Sequence, residues 1–217
     1  REVSFKVDKI EAQPKDVVIK IENLCVNNNK KVLGLKNFSL DIRAGEIVGI
    51  AGVEGNGQTE LVEALTGMRN VESGSIVFKG KNIVKESIRQ RIDDGMAHIP
   101  EDRHKRGLIL DFTVAENTVL QNYKDSRFSK NGILKKNAIE QYADEIIKRF
   151  DVRPTDYTVK ARALSGGNQQ KVIIGREVDN IEVSRAKTNE AQLLIATQPT
   201  RGLDVGAIEF VHSSLVK

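Results

Sequence analysis

Apolar and polar positions alternate from Val17 to Leu24, VVIKIENL, as in a half-buried strand, and NFSLDI at 37–42 repeats the pattern. EIVGIA at 46–51 is instead continuously apolar, which predicts a buried strand running straight into the glycine-rich GVEGNGQTE of 52–60 and then a helix. GSIVFKG (74–80) and AHIP (97–100) add two short apolar segments. A long charged region, about 101–163, follows. Within it NAIEQYADEIIKRF places Ile139, Tyr142, Ala143, Ile146, Ile147 and Phe150 on one helical face, so the region reads as a helical subdomain inserted into an α/β core. QLLIAT (192–197) predicts a further strand, and DVGAIEFVHSSL beyond it a helix. The polar VDNIEVSRAKTNEA (178–191) reads as a surface loop or an extended helix end, and the polar, aperiodic residues 1–16 as a linker.

The 217 residues, 39% of them apolar, suffice for one α/β domain or a core with a substantial subdomain. No apolar run approaches the roughly 20 residues of a membrane helix, so any membrane role is expected to be peripheral. A single cysteine, Cys25, cannot form an internal disulfide and reads as a small buried hydrophobe. The net charge of +4 comes from interspersed residues, 34 basic against 30 acidic, which favours a mixed solvated surface over a nucleic-acid-binding stripe.

Two stretches carry chemistry. Gly52, Gly57 and Thr59 keep the spacing of a phosphate loop, in which glycines let backbone N–H groups turn inward and a helix N-terminus adds its positive end. Gly55, Asn56, Gln58 and Glu60 complete that candidate cradle. LSGGNQQK (164–171) opens an apolar-periodic helix, with Ser165 offering a hydroxyl at its start and Gly166 and Gly167 allowing close backbone approach to a ligand. Each motif alone is also compatible with an ordinary turn or helix cap.

Their order, with TQPTRGLD (197–204) last, resembles the nucleotide-binding domain of ATP-binding cassette (ABC) transporters from about Val17 to the end of the chain. The resemblance implies a P-loop α/β core with an antiparallel β subdomain, about 17–45 and 74–84, and an inserted α-helical subdomain, about 101–175. GVEGNGQTE, IPEDRHKRGL, LSGGNQQK and QPTRGLDVGAIEF are most similar to the second cassette of the tandem ATPases of simple-sugar importers, above all the nucleoside branch. Residues 1–16 would then be an inter-cassette linker and 17–217 a C-terminally shortened domain. The family's switch histidine has no counterpart here, since His212 falls in the last predicted helix; His98 and His104 carry no expected role.

On the family pattern ATP and Mg²⁺ are the expected ligands, with Thr59 and Glu101 on the metal side, but three positions depart from it. Gln58 replaces the phosphate-loop lysine, Thr197 the metal-supporting aspartate, and Gln198 the water-positioning glutamate; Glu101 stands for a glutamine, and residues 25–34 lack an adenine-stacking aromatic. A charge-assisted hydrogen bond worth roughly 1.5–3 kcal/mol is lost at Gln58, so the chain's own site should hold nucleotide and metal weakly or not at all. Cassettes work in pairs, with the signature of one facing the ATP held by the other. The resemblance therefore implies that Ser165, Gly166 and Gly167, with Asp204 of the D-loop, complete a partner site on a first cassette of the same polypeptide. It also implies permease subunits, an extracytoplasmic substrate-binding protein, a peripheral place on the cytoplasmic membrane face, and no nucleic acid. A non-hydrolysing pseudo-cassette and a soluble ABC protein acting on ribosomes or DNA remain as alternatives.

Overall fold

The computed structural model describes residues 11–53 and 55–216, so residues 1–10 of the expected linker lie outside the described residues. The described residues fall into two compact units, 11–96 with 183–195 and 97–182 with 196–216.

The first unit is built on a four-stranded antiparallel sheet in the order β2-β1-β3-β4, formed by β1 (Val17–Asn27), β2 (Leu33–Arg43), β3 (Ser73–Phe78) and β4 (Lys81–Asn82). The register sets Ile19 opposite Ile42 on one side and Phe78 on the other, and Ile21 opposite Leu40 and Ile76. Ile19, Ile21, Ile76 and Phe78 are all buried, the outcome expected where alternating side chains share one face of a sheet. Helix α1 (Gln58–Thr66) adds Leu61, Ala64 and Leu65 to this core and ends at Gly67, whose left-handed backbone closes the last turn on the Ala64 carbonyl. Helix α2 (Ile88–Asp93) starts from a capping box of Ser87 and Gln90.

The second unit is mainly helical. Thr113 and Glu116 form a capping box for α3 (Val114–Thr118), a small hairpin joins β6 (Ser129–Lys130) to β7 (Ile133–Leu134), and α4 (Lys136–Arg149) carries the predicted apolar face. Ile139, Tyr142, Ala143, Ile146, Ile147 and Phe150 are all buried. Gly175, on α5 (Gly166–Thr188), explains how closely the helices pack: a Cβ there would lie 2.8 Å from Ile146 Cγ2 and 2.9 Å from Phe150 Cδ2. Polar 178–191 proves to be mostly the continuation of α5 rather than a loop. The unit ends in α6 (Val205–Val216), capped by Asp204, whose Oδ1 accepts from Ala207 N at 3.0 Å.

The apolar run 46–51 is not a strand. Ile47 is 70% exposed, Ile50 50% and Val53 75%. A strand is defined by a neighbour that takes its backbone hydrogen bonds, and among the described residues no strand pairs with this run. The two other predicted segments are strands: β5 (Met96–Ile99) and β8 (Leu193–Ala196), where Leu193 N donates to Gly95 O in the first unit and Thr197 N to Ile99 O in the second. No helix among the described residues is long and apolar enough to cross a membrane.

Candidate functional site

The glycine loop belongs to the first unit. Gly55 and Gly57 have φ of 90° and 96°, and Asn56 N reaches back to Val53 O at 3.3 Å, so the backbone turns tightly before α1 begins. Gly57 is required twice over, because a Cβ would also meet Gly34 O and Leu35 Cδ1 at 2.9 Å. Gly52 leaves room for a side chain: Gln58 folds back over the loop, bringing Nε2 within 2.1 Å of where a Cβ on residue 52 would stand, so a larger residue there would displace the amide. That amide donates to Val53 O at 3.2 Å. One of the two amide donors at the lysine position is therefore taken by the loop's own carbonyl. Thr59 is exposed, and the Glu60 side chain lies against Gly34.

The remaining candidates belong to the second unit. The Ser165 Oγ accepts from Asn168 Nδ2 at 2.9 Å and from Asn168 N at 3.4 Å, while the Asn168 Oδ1 accepts from Arg153 N at 2.8 Å. The Ser165 hydroxyl proton has no acceptor among the described residues, so this exposed group remains free to donate. Gly167 packs on the start of α6, where a Cβ would lie 3.2 Å from Ala207 Cβ and 3.6 Å from Asp204 Oδ2. The Ser165–Gly167 turn and the Asp204–Ala207 segment thus pack against each other. Gly166 lies beneath the Arg103 guanidinium, with Nη2 2.8 Å from its would-be Cβ. Arg103 Nη1 donates to Arg201 O at 3.2 Å, and Arg201 forms an ion pair with Glu101.

Two family positions change character here. Glu101, expected on the metal side, has its carboxylate turned to Arg201. Thr197 Oγ1 stands 3.4 Å from His98 Nε2, and burial, aided by the Arg106 charge, pulls the His98 pKa down to about 4. That imidazole is neutral at physiological pH and supplies no charge where the family has its aspartate. Gln198 is exposed with φ of 43°. No group of three or more His, Cys, Asp or Glu side chains able to hold a metal occurs among the described residues. Among the described residues the donor set offers a backbone cradle for phosphate and one free hydroxyl, Thr59, but no group of carboxylates gathered for Mg²⁺, so no chemical step is assigned to a metal on this chain. Arg103 and Arg201 escaped the sequence reading, although the basic run after Glu101 is its visible trace.

Residues 35–200 match the family model described as ABC transporter. The chain belongs to the ABC transporter family. It is 50% identical over 217 residues to the nucleoside import ATP-binding protein NupA of Lactococcus lactis subsp. cremoris and, over the same length, to the guanosine import ATP-binding protein NupO of Bacillus subtilis. It is 37% identical over 218 residues to the glucose import ATP-binding protein TsgD13 of Haloferax volcanii. Each match covers the whole chain but only 41%, 41% and 38% of the relative. Among solved structures, the dimeric ATP-binding cassette MJ0796 bound to ADP and Pi matches with a TM-score of 0.71 at 24% identity, over 91% of this chain and 81% of that one. MJ1267, also an ATP-binding cassette, matches with a TM-score of 0.72 at 21% identity, over 93% and 76%. These two establish the ABC cassette fold, an α/β domain with an antiparallel sheet and helices.

Proposed function

We propose that this chain is the second cassette of a tandem ATP-binding protein in an importer of nucleosides or simple sugars, and that it works chiefly through its signature. The observation that carries this is the contrast in free donors. Ser165 is exposed, with its hydroxyl proton free, on a turn braced by Asn168, whereas the Gln58 amide is bonded to its own loop. A first cassette on the same polypeptide would bind ATP and Mg²⁺ with its own phosphate loop, and Ser165, Gly166 and Gly167 would meet that ATP from the opposite side. Asp204, which caps α6 and lies beside Gly167, would belong to the same face. The site on this chain lacks the charges at 58, 197 and 198 and would bind nucleotide weakly. The names of the 50% identical relatives support nucleosides as the transported class. Membrane-bound permease subunits and an extracytoplasmic binding protein are the implied partners, with the cassettes peripheral on the cytoplasmic face and nucleic acid no part of the assembly.

The test is uptake of a labelled nucleoside in cells whose full-length protein carries one change. Ser165→Arg should abolish uptake, because the long side chain fills the space in which the partner's phosphate must sit. Uptake that survives Ser165→Arg refutes the reading.

A further inference from the structure

The basic run of residues 103–106 is not absorbed by that function, and one of its members is placed unlike the rest. Arg103 lies partly buried against the signature turn, its guanidinium over Gly166 and within 3.9 Å of the would-be Cβ of Gly202. It has no carboxylate partner among the described residues. The nearby acids are spent elsewhere: Glu101 on Arg201, the Asp102 Oδ1 on the backbone N–H groups of His104 and Lys105 at 3.0 Å, and the Asp204 Oδ1 on Ala207 N. Among the described residues its side chain makes one hydrogen bond, to Arg201 O, and Nε is buried without a partner. A partly desolvated guanidinium with most of its five donors unspent is unfavourable unless an anion joins it. Gly166 is what admits it, since any side chain at 166 would displace Nη2.

The geometry points to Arg103 as a phosphate-contacting residue of the signature face, which donates to the terminal phosphate of the nucleotide that Ser165 meets. This rests on the reading that the signature completes a partner's site. The cation missing from position 58 would then have a counterpart at the turn that still works, supplied across the cassette pair. Lysine keeps the charge there but not the planar fork, so Arg103→Lys should retain only part of the effect.

The experiment uses the full-length protein with its permease subunits in lipid nanodiscs, and measures ATP turnover together with inhibition by orthovanadate, which occupies the terminal-phosphate position, and by ADP, which lacks that phosphate. Arg103→Gln should lower turnover at saturating ATP by about 10²-fold, the loss expected for one preorganised donor, and Arg103→Lys by less. Arg103→Gln should also raise the vanadate inhibition constant about tenfold and leave that of ADP within about twofold, as removal of a contact confined to that phosphate requires. Lys105→Gln, an exposed neighbour on the same turn, should change neither. Unaltered turnover in Arg103→Gln, an equal loss in Lys105→Gln, or an equal rise in both inhibition constants each overturns the proposal. Ser165→Arg separates it from the reading beneath it: if that variant also turns over normally, the signature assignment itself has failed.

Discussion

Two glycine-rich turns, Gly52–Gly57 and Ser165–Gly167, each release the backbone into a helix, yet they leave opposite things free. At the first, glycines with φ near +90° shape a cradle that the chain then fills with its own Gln58 amide. At the second, Gly166 and Gly167 are needed for closeness rather than for unusual torsion: one lies beneath Arg103, the other against Ala207 and Asp204. At the first turn the Gln58 amide gives one donor to Val53 O and carries no charge, whereas at the second Ser165 and the Arg103 cation retain unspent capacity. Backbone geometry for phosphate is cheap to keep; the side-chain charge around it decides whether a turn still acts.

The strongest way to break that contrast is to damage the second turn. A carboxylate at residue 167 would stand a few ångströms from Asp204 and overlap Ala207, since even a Cβ lies 3.2 Å from Ala207 Cβ. Gly167→Asp in the full-length transporter should therefore lower ATP turnover by at least about 10²-fold, through like-charge repulsion toward phosphate and displacement of the D-loop. Steady-state hydrolysis in membranes checks it, with expression level as the control for folding. Near-normal turnover would mean that this turn faces no phosphate.

The second test tries to repair the first turn. Gln58→Lys supplies a cation at the mouth of the cradle, and a charge-assisted hydrogen bond worth about 1.5–3 kcal/mol should tighten ATP binding about tenfold or more. Hydrolysis should stay near background, because Thr197 and Gln198 still offer neither a carboxylate for metal nor one for water, and the neutral His98 beside Thr197 adds no charge. Calorimetric titration of the chain with ATP gives the first number and phosphate release the second. Full hydrolysis restored by this one change would show that positions 197 and 198 matter less than their chemistry suggests.

Much of this contrast was legible before the fold was known. The face of α4 followed from spacing alone, because a helix buries every third or fourth residue whatever surrounds it. The run 46–51 was not, because a strand depends on neighbours that the run itself does not encode; its exposed Ile47 and Ile50 follow from the lack of a ladder partner among the described residues. The polar stretch 178–191 could be read only as a loop or an extended helix end, because its apolar positions are few; through 188 it is the helix end, continuing a helix anchored upstream at Val172, Ile173 and Ile174. Ser165, Gly166 and Gly167 could be named from their motif, but the Arg103 position over Gly166 and the Glu101 pairing with Arg201 join segments far apart in the chain. No local pattern announces such contacts.

The smallest effect should come from emptying the first cradle. Gln58 makes one hydrogen bond of 3.2 Å to Val53 O, worth about 0.5–1.5 kcal/mol in net stability. Nucleotide entering the loop must give that bond up before the amide can turn to a phosphate oxygen, so what the side chain offers the ligand is nearly cancelled by what it leaves. Alanine at the first position of α1 neither donates to phosphate nor holds the loop closed, and it is the better helix former. Gln58→Ala should accordingly change nucleoside uptake by less than about threefold, within the roughly 0.6 kcal/mol such a near-cancellation leaves. Uptake measured beside Gly167→Asp gives the asymmetry directly. If Gln58→Ala abolished uptake while Gly167→Asp left it intact, the active turn would be the one closed on its own glutamine, and the two assignments would have to be exchanged.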